Sequence, residues 1–471
     1  MFCTTHVVLL VFRHFSNGTK LAKENNRGQC ARKQLQTQQM AKLKKIQFIY
    51  PRFRRFYKVL AKWSPIFGNR DYEAYSDSRT PPCLAFPILA AMTPKGIELG
   101  FLDDRLEELD VSCLDADLYA IHVKTEMAPR AYEIADKLRA SRKTVVLGGL
   151  HVTYRPEEAI QHADAVCIGE AEGVWQRMLA DYENDALKRF YKSERVVPMD
   201  EIPIPDRSLY DHYSYSNPCN YLQVSRGCML DCEGCPIPFA YGKTLRFRPL
   251  ELVEEELKSF PAPSIYITDD NMFFTGQDYA RYTDDLLRIL ARFGKPSSWA
   301  SAIGLPRRDD KQFLRLATEA KLHSIYNVLF DKLSYRAIDG EQRALDRFRR
   351  IYDNYRAAGI QIWMSIYVGG DDHDHSIGDK VMTFLQKMEV ELVEFVIPTP
   401  YPETPLWHRL IKEDRLLHTN WTDYDGLHSV FKPKNFTPEE LEELVCKLWV
   451  EFYSSHTYIF DRDDVKVLLN S

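Results

Sequence analysis

Val224-Ser-Arg-Gly-Cys228-Met-Leu-Asp-Cys232-Glu-Gly-Cys235-Pro236 is the stretch on which the reading of this chain turns. It follows Tyr221–Val224, a short run that reads as a strand. Its three cysteines sit on one loop at that strand's carboxyl end, close enough in sequence to wrap a cubane cluster. Thiolate is the preferred ligand of an iron–sulfur cluster. Three protein ligands on a four-iron cluster leave one iron open to an outside ligand. A structural zinc site ordinarily takes four ligands in two Cys-x-x-Cys-like pairs. Here Cys232 and Cys235 form the one such pair, and the nearest further thiol is Cys219. A zinc-stabilised binding module therefore stands as the non-enzymatic alternative to a cluster enzyme.

Downstream of the loop, apolar runs at Ser264–Thr268, Ser298–Ile303, Ser324–Phe330, Gln361–Val368 and Glu394–Ile397 alternate with helix-period segments. This repetition predicts a partial (β/α)6 barrel over 218–410, with its chemistry at the carboxyl ends of the strands. Upstream, Ile46–Tyr50, Ile97–Leu102, Leu118–Val123, Thr144–Gly148 and Ala165–Ile168 read as strands. Between them Ala131, Ile134, Ala135 and Leu138 recur at helical spacing. The alternation predicts an α/β Rossmann-like parallel-sheet domain over 45–185, with its ligand outside the strands' carboxyl ends. Residues 186–217, interrupted by Pro198, Pro203 and Pro205, read as a linker. Residues 411–471 read as a short helical region whose last helix is opened by a Thr437-Pro-Glu-Glu440 capping box. Residues 1–44 are basic, with Glu24 their one acid, and read as a flexible leader.

Composition narrows the function classes. The 471 residues are 45% hydrophobic and 27% charged, as in ordinary globular chains. A net charge of -5 leaves no basic footprint for nucleic acid. No apolar run is long enough for a transmembrane helix. Ten cysteines are too sparse for a disulfide scaffold. Without a secretory signal the expected compartment is the reducing cytoplasm.

The cysteine triplet resembles the Cys-x-x-x-Cys-x-x-Cys signature of the radical S-adenosylmethionine (SAM) superfamily. The likeness extends to Thr244-Leu-Arg-Phe-Arg248, to Ile265-Tyr-Ile-Thr-Asp-Asp-Asn271 and to Pro398-Thr-Pro-Tyr-Pro-Glu-Thr-Pro-Leu406. Upstream, Gly148-Gly-Leu-His-Val-Thr153, Pro156-Glu-Glu158 and Gly169-Glu-Ala-Glu-Gly173 resemble the cobalamin-binding domain of one large subgroup. The resemblance implies that Cys228, Cys232 and Cys235 are the catalytic ligands of a 4Fe–4S cluster that cleaves SAM to a 5′-deoxyadenosyl radical. It places Asp269, Asp270, Asn271 and Ser301 at SAM, and Lys124, Thr125, Gly148 and Gly149 at cobalamin. It implies an electron donor such as flavodoxin or ferredoxin and a small-molecule or lipid substrate. The reaction it implies is cobalamin-dependent C-methylation of an unactivated carbon. A radical rearrangement, cyclisation or oxidation without cobalamin is the runner-up.

The chain departs from the family pattern in two places. Gly234 stands before the third cysteine, where an aromatic residue that helps hold adenine is common; Phe239 or Tyr241 is the expected substitute. The Asp-x-His-x-x-Gly motif that supplies a cobalt ligand in many cobalamin domains is missing, and His122, His151 and His162 lack its context. Cobalamin is therefore expected to bind without a protein histidine, as is usual in that subgroup, or not at all. Glu170 and Glu172 read equally as solvated acids at a helix start. Asp371-Asp-His-Asp-His375 reads as a polar loop beside the active site rather than a metal centre. Trp407, Trp421, Tyr424, Trp449 and Tyr453 read as packing anchors.

Overall fold

A computed structural model describes residues 42–54, 81–215, 219–260, 264–271, 276–294, 297–303, 310–329 and 332–455. The leader expected at 1–44 lies, up to residue 41, outside the described residues. The first sheet is built from β1 (Lys45–Tyr50), β2 (Glu98–Asp103), β3 (Leu118–His122), β4 (Thr144–Gly148), β5 (Ala165–Ile168) and β6 (Phe190–Lys192). Its order is β2-β1-β3-β4-β5-β6, and every pairing is parallel. Helices cover both faces, so the inner strands read as near-continuous apolar runs. The helix Ala128–Ala140 shows how: Pro129 opens it, and Ala131, Ile134, Ala135 and Leu138 turn one buried face to the sheet. The edge strand β6 falls in the stretch expected as linker. Three residues are too few to show a period.

The second sheet contains β7 (Cys219–Leu222), β10 (Ser264–Ile267), β11 (Ser297–Ile303), β12 (Leu322–Leu329), β13 (Gln361–Tyr367) and β14 (Leu392–Val396). Between β7 and β10 lies a two-stranded antiparallel ribbon of β8 (Ser225–Arg226) and β9 (Arg246–Phe247). The order β14-β13-β12-β11-β10-β7 is parallel throughout, and β14 and β7 stand at opposite edges. The sheet is thus an open, partial barrel of six strands. β14 is buried along its whole length.

The C-terminal helix Pro438–Ser455 packs against β14. Its capping box forms: Thr437 N donates to Glu440 Oε2 at 2.7 Å, and Glu440 N donates to Thr437 Oγ1 at 3.2 Å. Trp449 Nε1 donates to the Phe395 carbonyl at 2.9 Å, and Tyr453 OH to the Val393 carbonyl at 2.7 Å. Trp407, Trp421 and Tyr424 join the apolar core of the first sheet instead. All five aromatics therefore act in packing, and the C-terminal region touches both sheets.

One buried charge in the barrel has a measurable consequence. Glu394 on β14 accepts from Ser365 Oγ at 2.8 Å and from the Tyr326 hydroxyl, and burial pushes its carboxyl up to about 7. Between the unfolded value near 4.5 and about 7, the folded chain keeps a proton that the unfolded chain releases. Stability from this group is therefore present at low pH and falls as pH rises through that window, by up to about 3 kcal/mol. Thermal unfolding of Glu394→Gln should show a flatter decline between pH 5 and pH 7.5 than the wild type. Parallel pH profiles would refute the assignment.

Candidate active site

The cysteine loop leaves β7 and is pinned by two adjacent acids at the end of β10. Asp269 accepts from Val224 N at 2.8 Å and from Ser225 Oγ at 2.6 Å. Asp270 accepts from Gly227 N at 2.9 Å. Burial pushes Asp269 up to about 7 and raises Asp270 as well. Gly227 turns the chain at φ +92°, and a Cβ there would stand 2.5 Å from the Thr244 carbonyl oxygen. Only glycine fits both constraints. Gly227→Ala is expected to cost about 1–3 kcal/mol of local strain and to lower the iron bound per chain. Iron content and stability equal to the wild type would contradict this.

Cys228, Cys232 and Cys235 line one cavity of about 610 Å³. Burial raises the Cys228 thiol. Burial, then the neighbouring Cys235 and Cys228, push the Cys232 thiol up to about 11. Among the described residues no three His, Cys, Asp or Glu side chains are grouped as a single metal ion requires. A cubane takes each thiolate on a different iron, so three free thiols spread along one cavity fit a cluster better than a mononuclear ion.

The rest of the cavity comes from the strands' carboxyl ends. Asp270 follows β10, Tyr326 and Val328 lie on β12, Tyr367 ends β13, and Pro398 and Thr399 follow β14. Asp371, on the loop after β13, accepts from Arg409 Nη1 and Arg415 Nη2, each at 2.7 Å, with Lys434 Nζ at 3.1 Å. The Arg415 side chain holds this carboxyl well below the usual carboxylate range, against a burial effect, with Lys434 and Arg409 adding to the shift. Arg409 also donates from Nη2 to Glu233 Oε2 at 3.1 Å, which ties the cysteine loop to the loop after β13. The Asp371–His375 segment is thus a polar loop organised by ion pairs.

Not every expected SAM contact reaches this cavity. Asp270 lines it; Asp269 does not, because both its oxygens hold the loop backbone and Ser225. Asn271 is buried but does not line the cavity either. Ser301 lies on β11, and its side chain is outside the described residues. Phe239 and Tyr241 also turn away from the thiols. Phe239 is exposed and packs on Tyr154 at 5.1 Å, and Tyr241 lies against the Arg226 guanidinium at 5.6 Å. Gly234 packs beside Leu406, whose Cδ2 would stand 3.4 Å from a Cβ, an ordinary contact.

Two further cavities, of about 250 Å³ and 190 Å³, lie between the first sheet's carboxyl ends and the barrel. Lys124 and Thr125 line the first, Gly148 and Gly149 the second, and His122, Gln223 and Tyr241 border both. The two cavities open at the carboxyl ends of β3, β4 and β5, on the side of the sheet where ligands of such folds bind. Gly149 is required by its own domain, because a Cβ at its φ of +117° would meet the Val123 carbonyl at 2.6 Å. Gly169 (φ +82°) has nothing within 4 Å of a Cβ and keeps the strand-end surface open. Aliphatic side chains, glycines and several aromatic rings line these spaces, surroundings of the kind that a flat macrocycle would need.

Ion pairs join this space to the cysteine loop. Glu170, buried at the end of β5, accepts from Arg226 Nη1 at 3.0 Å, Arg246 Nη2 at 2.7 Å and Val197 N at 2.7 Å. Glu172 accepts from Arg226 Nη2 at 2.8 Å. Burial alone would raise the Glu170 carboxyl; the Arg246 hydrogen bond and the Arg226 charge outweigh it and lower it. Arg226 stands two residues before Cys228. Neither acid is a solvated helix-start residue. Tyr154 adds a hydrogen bond from the first domain to the Pro236 carbonyl, just after Cys235.

No family model matches the chain. The chain is 27% identical over 379 residues to the bacteriochlorophyllide d C-12(1)-methyltransferase of Chlorobaculum tepidum, covering 78% of this chain and 81% of the relative. It is 28% identical over 405 residues to the hopanoid C-3 methylase of Methylococcus capsulatus, covering 78% and 74%. The fold superposes on TsrM of Kitasatospora setae, a radical SAM methyltransferase solved with cobalamin and a 4Fe–4S cluster. That match has a TM-score of 0.59 at 13% identity, over 79% of this chain and 75% of TsrM. An open parallel barrel with three thiols in its mouth, joined to a parallel sheet with a cavity at its strand ends, defines a class of enzyme. Radical SAM enzymes with an N-terminal domain of the cobalamin-binding type combine these features, and the chain is similar to them in sequence and in fold.

Proposed function

We propose that the protein is a cobalamin-dependent radical SAM C-methyltransferase acting on an unactivated carbon of a small, largely apolar molecule, a pigment or lipid. One observation carries the reading. Asp270 and Ile237 line both the thiol cavity and the interdomain cavity, so the two spaces adjoin. A carbon held there is in reach of both. The named relatives are a bacteriochlorophyllide methyltransferase and a hopanoid methylase, which act on a pigment and a lipid. Among the described residues no helix is long and apolar enough to cross a membrane.

Cys228, Cys232 and Cys235 would hold the cluster, and Asp270, which lines the same cavity, would accept from the SAM ammonium. Lys124, Thr125, Gly148 and Gly149 border cobalamin. Bound there, the cluster with SAM would supply radical initiation and cobalamin would supply a methyl group. The protein positions the groups and excludes water. Leu406 and Phe431 close the apolar side of the thiol cavity, and Arg409 holds the cysteine loop against the loop after β13. Residues 45–185 form the cobalamin domain and 218–410 the barrel, with an electron delivered by a flavodoxin or ferredoxin.

The test is product analysis. Reconstituted enzyme is given SAM, a reductant and cobalamin, with bacteriochlorophyllide d and a hopanoid as probe substrates. S-adenosylhomocysteine and 5′-deoxyadenosine in equal amounts, with a methylated product, are expected. 5′-Deoxyadenosine with an unmethylated, rearranged or oxidised product would overturn the methylation reading.

A further inference from the structure

Glu394 is buried on β14, with 3% of its surface left exposed. Strand alternation decides where its side chain points. Val393 and Phe395 face outward into the core shared with the C-terminal helix, where Phe395 meets Trp449 edge-on at 5.8 Å. Glu394 and Val396 therefore face the barrel interior, and both line the interdomain cavity of about 250 Å³. Only one oxygen of the carboxyl is committed. Ser365, its register partner on β13, and Tyr326 of β12 both donate to Oε1. Oε2 accepts no hydrogen bond among the described residues, and it is not sealed from open space. The open space that this side chain borders is the cavity.

A buried carboxyl with one oxygen uncommitted costs free energy unless a partner completes its hydrogen bonding. The place of the residue says what kind of partner fits. Tyr326 lines the thiol cavity and Glu394 the interdomain cavity, so the hydrogen-bonded pair stands on the wall where the two meet. Because Oε1 already receives two hydroxyl hydrogens, a proton on this carboxyl resides on Oε2. Protonated, Oε2 donates; ionised, it accepts. With the carboxyl pushed up to about 7 by burial, both states are populated near neutral pH. A carbonyl or an N–H on the partner serves one state only. A hydroxyl serves both, because it accepts as well as donates.

We propose that Glu394 recognises the substrate: its Oε2 takes a hydroxyl carried by an otherwise apolar molecule held at the junction of the two cavities. The proposal deepens the methyltransferase reading and rests on it for the place of the substrate. The carboxyl would read the same hydroxyl in any radical reaction carried out there.

The test is a binding measurement that needs no turnover. The full chain, reconstituted with its cluster, is titrated by equilibrium dialysis with tritiated 1-adamantanol and with tritiated adamantane, a compact alcohol and its parent hydrocarbon. Glu394→Leu is expected to weaken adamantanol binding about tenfold, the scale of one hydrogen bond, and to leave adamantane binding within about twofold. Glu394→Gln, whose amide both accepts and donates, should keep adamantanol binding within about threefold of the wild type. A purely structural role would move both ligands alike. Should Glu394→Leu not fold, infrared difference spectra of wild type against Glu394→Gln carry the test. The Glu394 carboxyl band is expected to shift on addition of adamantanol and to stay in place with adamantane. Equal loss for both ligands, no loss for either, no adamantanol binding to the wild type, or an unmoved carboxyl band would overturn the proposal. Selective adamantanol binding by a protein that forms no methylated product would remove the methylation reading and leave the hydroxyl site standing.

Discussion

Cys232→Ala abolishes 5′-deoxyadenosine formation. Among the described side chains, Cys83, Cys113, Cys167 and Cys446 are absent from the thiol cavity, so none of them replaces a missing ligand. Two thiolates would not hold the cluster that SAM cleavage requires. SAM cleavage should fall by about three orders of magnitude or more, the scale on which loss of an essential catalytic group acts. Folding should be nearly unaffected, because Cys232 is half-exposed and carries little of the core. The check is anaerobic reconstitution of wild type and variant, followed by chromatography of the nucleoside products. Turnover within tenfold of the wild type in the variant would refute the cluster assignment.

Glu170→Gln is the second large effect, and it acts through structure. Glu170 neutralises two guanidiniums, Arg226 and Arg246, in a buried setting. Removing one partner of a buried ion pair strands the other charge, at a cost of roughly 3–5 kcal/mol. Arg226 keeps Glu172, so the lower end, about 3 kcal/mol, is expected. The cysteine loop should loosen as well, because Arg226 leads directly into Gly227 and Cys228. Denaturant unfolding should show the loss of stability, and iron analysis a reduced cluster content. Stability within about 0.5 kcal/mol of the wild type, the range of an ordinary surface substitution, would show that the ion pairs do not join the two domains.

Much of this site is legible in the sequence because it depends on local patterns. Strands buried on both faces announce themselves as short apolar runs, and the cysteine spacing is a local property of one loop. β7 still forms two residues earlier than its apolar run suggests, at Cys219–Leu222, where it pairs with β10. What the sequence hides is side-chain direction and long-range pairing. Asp269 and Asp270 are adjacent, yet the first fastens the loop from behind and the second faces the cavity. Gly149 looks like a cofactor glycine, but its lack of a side chain is imposed by the Val123 carbonyl. Glu170 and Arg226 are 56 residues apart and belong to different sheets, so no periodicity connects them. Leu406 stands beside Gly234 although 172 residues separate them in sequence, a neighbour no local pattern announces.

The most direct measurement of the central claim is anaerobic purification and reconstitution with iron and sulfide, followed by SAM and dithionite. A brown protein with thiolate-to-iron absorbance that releases 5′-deoxyadenosine is predicted. A colourless protein holding zinc at the three cysteines, with SAM left intact, would contradict it.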